Sequence, residues 1–572
     1  MTKFTALMTG AALTGATLAL VPLAAAAERG ADGDLRILYW QAASTMNPYL
    51  SGIAKEVEAA SLVLEPLARF DENGALVAWL VDEIPTLENG GVSEDLESIT
   101  WVLRDGLTWS DGSPVTADDA VFTWKYCTDP DGGCAALSQF GGVADVIAKD
   151  ARTIEVIFSE PKPYPYTAFV SSEAPILQAA QFADCLGTRA SQCTEANTKP
   201  IGTGPYVVDD FRPNDVITFS MNPNFRFDDK PAFANVTIKG GGDTTSAARA
   251  VLQTGEVDYA WNLQLAPDVL AGLKEGGPGE VITNYGSAVE FLYLNQTNPA
   301  PDLGDARATQ DGGAHPFLSD PAVGQALSLA IDRGLIAELL YGDAGQIGCN
   351  VVPAPALYVS SANDSCAVQD LDAARALLDG AGWTDTDGDG IRDKDGVKLS
   401  ILYQTSTNAV RQDTQSLIKD WWSQIGIETE LRNIEASVFF GGDPGSPDTR
   451  QKFFADVQMY TDNSKGQDPE AFLSNWTCAN IPSPQTQWQG NNIQRFCSEE
   501  YDALSVVLRR AGTLEERGRI AREMNDMLVQ SYTIVPLVHR GIASGKAKSL
   551  AGVRMNSWDS QIWNIMDWYR GP

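Results

Sequence analysis

Asp385, Asp387, Asp389 and Asp393 stand at the first, third, fifth and ninth places of one short stretch, with Gly390 at the sixth. A hard cation held by oxygen ligands uses carboxylates at this spacing, and Ile391 at the seventh place would add its backbone carbonyl. The twelfth place holds Gly396 where such loops have glutamate, although Asp395 is adjacent. Crowded carboxylates are unfavourable without a cation between them. The stretch reads either as a structural Ca2+ loop or as a solvated acidic turn, and in neither case as a site of reaction.

Eight cysteines are the second chemistry-bearing set. They fall into local couples: Cys127 with Cys134, Cys185 with Cys193, Cys349 with Cys366, and Cys478 with Cys497. Eight thiols allow about 105 connectivities, and buried free thiols are the other reading. Closeness along the chain, together with the export segment described below, favours four short-loop disulfides. There is no C-x-x-C, and the two histidines, His315 and His539, are far apart, so zinc lacks a ligand set.

A secreted hydrolase is the rival class. G-x-S-x-G and H-E-x-x-H are both absent, and two histidines supply a general base poorly. Ser416 and Lys419 form an isolated S-x-x-K inside a helical amphipathic stretch, with no S-D-N or K-T-G elsewhere. No enzyme is expected.

The elements that must position any site alternate strand and helix along the whole chain, which marks an α/β protein. Strands are expected at 35–40, 99–103, 236–238 and 257–261. Helices are expected at 59–69, from Thr116 onward with Thr116 as cap, and at 245–254, 321–340, 371–381, 408–425 and 513–531. Ligand contacts in α/β folds gather at strand ends. That rule selects Tyr39, Trp40 and Gln41, then Trp261, Asn262 and Gln264, and then Tyr403 and Gln404, the last two following a strand expected at 399–402. Trp476 and Trp488 lie beside and within the stretch bracketed by Cys478 and Cys497. Aromatics more often fill cores than line clefts, and several together in a cleft would also suit sugar stacking.

Residues 1–27 read as an export signal: Lys3, an apolar run from about residue 4 to 23, then Ala25-Ala26-Ala27 before Glu28. A membrane anchor is the alternative, but it would have no such cleavage pattern. The 572 residues exceed one core, so several lobes are expected. A net charge of −34 repels phosphate backbones and anionic lipid, which excludes nucleic acid and membrane surfaces as partners.

Several segments resemble the extracellular solute-binding proteins that serve peptide, opine and nickel ABC transporters. They are EPLARFDENG at 65–74, LRDGLTWSDGSP at 103–114, TADD at 116–119, GTGPY at 202–206, NPNF at 222–225, TGEVD at 254–258 and ALSLAIDR at 326–333. Each alone is rich in turn or core formers. Their order and spacing together carry the resemblance across nearly the whole chain.

The resemblance implies a periplasmic-binding-protein-like α/β fold, with two lobes closing about a hinge and an additional inserted domain, three lobes in all. Lobe I would comprise 28–62, 200–288 and 534–572, the inserted lobe II 63–199, and lobe III 289–533. It further implies a monomer outside the cytoplasm, in the periplasm, that captures a small solute and delivers it to ABC permease subunits in the membrane, with no cofactor. A peptide-like solute is favoured, with oligosaccharide or opine-like ligands as alternatives. Peptide-binding relatives pair the ligand ammonium with an aspartate just ahead of an Asp-Pro pair. Counting back from Asp468-Pro469 places Lys465 at that point, and Asp462 reaches it if the loop is longer.

Overall fold

Leu35, Ile37 and Tyr39 are buried while Asp34 and Arg36 are exposed, the two-residue alternation of a strand with one face on a core. In the computed structural model, which describes residues 28–571, this strand, Asp34–Tyr39, lies inside a seven-stranded sheet. The order across that sheet is Gly279–Asn284, Ile542–Ala547, Tyr259–Ala260, Asp34–Tyr39, Asn235–Gly240, Val216–Met221 and Tyr206–Arg212. Asp34–Tyr39 runs parallel to both of its neighbours. The expected export signal, residues 1–27, lies outside the described residues.

Val289–Leu294 differs in kind, because all six of its residues are buried, Glu290 included. Such a run belongs at the centre of a sheet covered on both faces. It sits in a six-stranded sheet ordered Gly345–Ile347, Ile534–Arg540, Val289–Leu294, Val457–Asp462, Ser400–Ser406 and Glu428–Ile434. A third, three-stranded sheet, in the order Ser98–Val102, Thr153–Phe158 and Val143–Ala148, belongs to the inserted segment.

The chain passes between the two large sheets twice, through residues 285–288 and at Gly541. A Cβ at Gly541 would lie 3.0 Å from the Thr283 methyl and 3.1 Å from the Tyr285 ring, so a larger residue at the second crossing would have to displace these side chains slightly. This moves one expected boundary. Ile534–Arg540 pairs with Val289–Leu294 and Gly345–Ile347 in the second sheet, so the return to the first lobe falls at Gly541 rather than before residue 534.

Local signals set many ends. The helix after Thr116 spans Ala117–Thr128, and the Asp119 carboxylate accepts from the Thr116 backbone N–H at 2.9 Å. Asn408 and Thr513 cap Ala409–Ser423 and Leu514–Gln530 through their side chains. Two expectations are corrected. The helix placed at 59–69 is Ala54–Ala60, followed by the strand Ala68–Phe70. Pro66 disfavours helix at Glu65, and the stretch between pairs elsewhere, with Gly204 N–H on Val63 O at 2.8 Å and Leu67 N–H on Phe169 O at 2.9 Å. The helix placed at 321–340 divides into Pro321–Leu329, Arg333–Ile336 and the wider coil Ala337–Tyr341. The Asp332 side chain starts the second piece by accepting from Leu335 N–H.

The inserted lobe shares its core with the first lobe. Trp101, Trp109 and Phe169 belong to one buried cluster with Tyr49, Trp558 and Trp563, and no buried member of it comes from residues 289–533. All four expected cysteine couples are disulfides, with Cα separations of 5.1, 5.8, 5.8 and 4.8 Å in chain order.

Candidate ligand cleft

Strand ends of both large sheets meet at a cavity of about 900 Å³, part of it open to solvent. Gln41, Trp261 and Asn262 enter from the ends of first-sheet strands, with Glu58, Asp559 and Gln561 beside them. Tyr460, Thr461 and Asp462 enter from the end of Val457–Asp462, with Arg411, Arg450 and Lys465, and Glu173 comes from the inserted lobe. A second cavity of about 580 Å³ adjoins and shares Glu173, Arg450, Asp462, Asn463 and Lys465. At the other end Arg540 also lines a separate groove. The acidic residues therefore gather toward one end and the Arg540 side marks the other.

At the Arg540 end, Glu290 is buried with two guanidinium groups. Arg411 Nε donates to its Oε1 at 2.6 Å, Arg540 Nη1 lies 3.9 Å from its Oε2, and the Thr461 hydroxyl donates to the same carboxylate. Burial alone would push the Glu290 carboxyl up, but the charge and hydrogen bonds of Arg411, with Arg540 behind them, hold it below the usual range. Two cations against one carboxylate leave this end net positive. Arg540 also donates to Asn262 Oδ1 at 2.9 Å, which ties the two lobes together.

The opposite end is carboxylate-rich. Burial pushes Glu173 up; Lys465 partly offsets this, while Asp462 and Asp559 add to it. Asp462 is also raised by burial, against the pull of Arg450. Glu58 is raised by burial although it accepts from the Gln561 N–H at 2.9 Å and the Ser560 hydroxyl at 2.7 Å. Lys465 Nζ lies 4.0 Å from Glu173 Oε1 and donates to Asp559 O at 3.4 Å. Arg69 Nε is 3.6 Å from Asp559, and Arg450 donates to the Tyr460 hydroxyl at 2.8 Å. Glu58, Glu173, Asp462 and Asp559 thus face Lys465, Arg69 and Arg450, which leaves one negative charge over.

Of the residues selected from sequence, Gln41, Trp261, Asn262 and Asp462 line the cavity. Tyr39 stacks under Trp261, ring centroids 4.9 Å apart, and Trp40 is buried with its indole donating to Asn262 O at 3.0 Å, so both back the wall rather than form it. The indole N–H of Trp261 has no hydrogen-bond partner among the described residues. Gln264 lies behind the Glu290 cluster, its amide reaching the Tyr341 hydroxyl at 3.1 Å.

The remaining selections lie away from the cavity. Tyr403 and Gln404 are interior to the second sheet, where Gln404 bonds Gln458 at 3.0 Å and the Tyr403 hydroxyl meets Met459 Sδ at 3.1 Å. Trp476 is buried edge-on to Phe472 at 4.8 Å. Trp488 packs against Phe454 at 5.9 Å. Lys465 and Asp462 both face the cavity. Sequence reasoning passed over Glu58, Glu173, Arg411, Arg450 and Arg540.

In the acidic loop, Asp385, Asp387 and Asp393 bring one carboxylate oxygen each within 4.8 Å of one another. Lys398 already engages Asp387, at 2.9 Å, and Asp389. Asp393 accepts from the Thr386 hydroxyl at 2.7 Å, and Asp385 from Gly388 and Gly390 N–H at 2.7 and 3.0 Å. The Ile391 N–H donates to Asp389 Oδ1 at 2.9 Å. The histidines are structural: His315 Nε2 meets Asp456 at 2.9 Å, and His539 Nε2 meets Gly286 O at 2.9 Å. Ser416 donates to Gln412 O at 2.9 Å within its helix.

Two sheets joined by two crossings, with a charged cavity at their strand ends and a third lobe fused to the first, define the three-lobed α/β periplasmic-binding-protein class. The profile of bacterial extracellular solute-binding proteins, family 5 (middle), matches residues 76–491, and the chain belongs to that family. The oligopeptide-binding protein AppA of Bacillus subtilis is 23% identical over 520 residues, 88% of this chain and 85% of that one. Its structure with a nonapeptide superimposes with a TM-score of 0.80 at 20% identity, covering 95% of this chain and all of the other. The nickel-binding periplasmic protein of Escherichia coli is 26% identical over 401 residues, 69% of this chain and 70% of that protein. Protein XP55 of Streptomyces lividans is 28% identical over 348 residues, 61% of this chain and 58% of that protein. The family is one of non-enzymatic extracellular or periplasmic solute-binding proteins, the substrate-binding components of ABC importers.

Proposed function

We propose that the protein captures a zwitterionic, peptide-like solute outside the cytoplasm, closes its lobes over it and hands it to the membrane permease of an ABC importer. The observation that carries this reading is the separation of charge along the cavity. A surplus carboxylate lies at the Glu173–Asp462 end, and a surplus guanidinium lies at the Arg411–Arg540 end. Carboxylates already raised by burial gain most from a ligand ammonium, and a guanidinium fork suits a ligand carboxylate. Trp261, Phe440 and Tyr460 supply apolar wall between the ends. An opine-like solute, an amino acid carrying an added carboxylate, is the second reading, and the ammonium of Lys465 among the acids favours it.

Thermal shift of the mature protein against short peptides, opines and oligosaccharides tests this. A ligand at one hundred times its Kd adds about 2.7 kcal/mol of stability. A rise with di- or tripeptides, weakened roughly tenfold in affinity by Asp462→Asn, is expected. A rise with neutral oligosaccharides alone refutes the zwitterion reading.

A further inference from the structure

Lys162 lies outside the solute cavity, in the inserted lobe, and its side chain is only 2% exposed. Its ammonium has three partners. It donates to Gly141 O at 3.1 Å and Thr167 Oγ1 at 2.9 Å in its own lobe, and it lies 3.0 Å from Glu470 Oε1 of the third lobe. Glu470 is held in turn by Arg517, whose Nη2 reaches Glu470 Oε2 at 3.2 Å while Nη2 and Nε grip Asp468 at 2.6 and 2.7 Å. Asp468 and Glu470 close the segment that begins with Asp462, Asn463 and Lys465 in the cavity wall. Tyr164, two residues beyond Lys162, lies under the Arg517 guanidinium at 5.4 Å.

The inserted lobe is fused to the first lobe by one apolar core that takes no buried residue from 289–533. It therefore moves with the first lobe when the hinge opens. The Lys162–Glu470 pair crosses the seam that opens, so it exists only in the closed arrangement. A buried pair is worth little over two solvated ions, but removing one member strands the other. That cost falls on the closed state alone and biases the equilibrium toward open.

We propose that Lys162 is a closure latch, a positioning residue that sets solute affinity through the lobe equilibrium without touching solute. The inference rests on the hinge-closing reading above. Small-angle scattering of the solute-free mature protein is the primary test. Lys162→Met should raise the radius of gyration above wild type, and Lys162→Arg should leave it unchanged. Equal values for wild type and Lys162→Met overturn the latch, and so does Lys162→Arg opening as far as the methionine variant. If Lys162→Met does not melt cooperatively, Glu470→Gln replaces it with the same expected direction. Trialanine is the affinity probe: where wild type binds it, Lys162→Met should raise Kd roughly tenfold, and an unchanged Kd counts against the latch. The scattering arm contains no solute, so it fails only with the latch, whereas absence of trialanine binding to wild type counts only against the peptide reading.

Discussion

Replacing Glu290 with glutamine should destabilise the solute-free protein strongly, although the volume hardly changes. The carboxylate side chain is 1% exposed and serves Arg411, 4% exposed, and Arg540, 5% exposed. Glutamine removes the only carboxylate within ion-pair distance of either guanidinium among the described residues. Breaking a buried pair in this way costs about 3–5 kcal/mol, because an uncompensated charge remains. For a lobe of this size each kcal/mol moves the midpoint by about 2–4 °C, so a fall of roughly 6–20 °C is expected. Near-UV circular dichroism melts at pH 7 measure it. Adding Arg411→Met to Glu290→Gln should recover only part of the loss, since one stranded guanidinium is then removed while Arg540 stays buried without a carboxylate.

The pH dependence adds a sign. The folded carboxyl of Glu290 sits below its unfolded value of 4.5, so its contribution is fully present above pH 4.5 and is lost as pH falls through the lower folded value. The gap between wild type and Glu290→Gln should hold steady from pH 7 to about 5 and narrow only below that. A midpoint within about 2 °C of wild type at pH 7, or a gap that closes between pH 7 and 5, refutes the reasoning.

Glu173→Gln should have the opposite effect on stability. Its carboxyl is raised by burial and by Asp462 and Asp559, so the charged form costs stability at neutral pH, and the neutral amide should melt at or above wild type. The same change should weaken binding of an ammonium-bearing peptide roughly tenfold by calorimetry, and a lower midpoint with unchanged affinity contradicts the assignment. Reduction of Cys478–Cys497, which spans 19 residues, should cost about 3 kcal/mol, read as a lower urea midpoint for Cys478→Ser/Cys497→Ser. An unchanged midpoint shows that the loop is held without the bond.

Part of the cleft was readable from residue order. Strand ends in an open α/β sheet point at the crevice, and Gln41, Trp261 and Asn262, which that rule selects, line the cavity. The rule says nothing about which neighbours turn inward. Side chains alternate between faces, so the adjacent Tyr39 and Trp40 enter different buried clusters, and neither lines the cavity. Tyr403 and Gln404, selected by the same rule, lie in Ser400–Ser406 between two strands and pack within the second sheet, away from the cavity. Glu290 had a visible signal, a lone acid in the otherwise apolar VEFLYL. Arg540 had a weaker one at the end of IVPLVHR. Glu173 and Glu58 had none, since acids in loops and on helix faces are ordinary.

By itself the sequence determined the family, the cysteine couples and several helix caps, because motifs, caps and short-loop bonds depend on residues close together along the chain. The tertiary structure decided the charge pattern of the cleft. Glu58 and Asp559 are some five hundred positions apart, and Glu173 meets Lys465 across two lobes. Whether a carboxylate is a solvated surface group or a desolvated ligand partner depends on which lobe closes over it, and that is a property of distance and dielectric rather than of order along the chain.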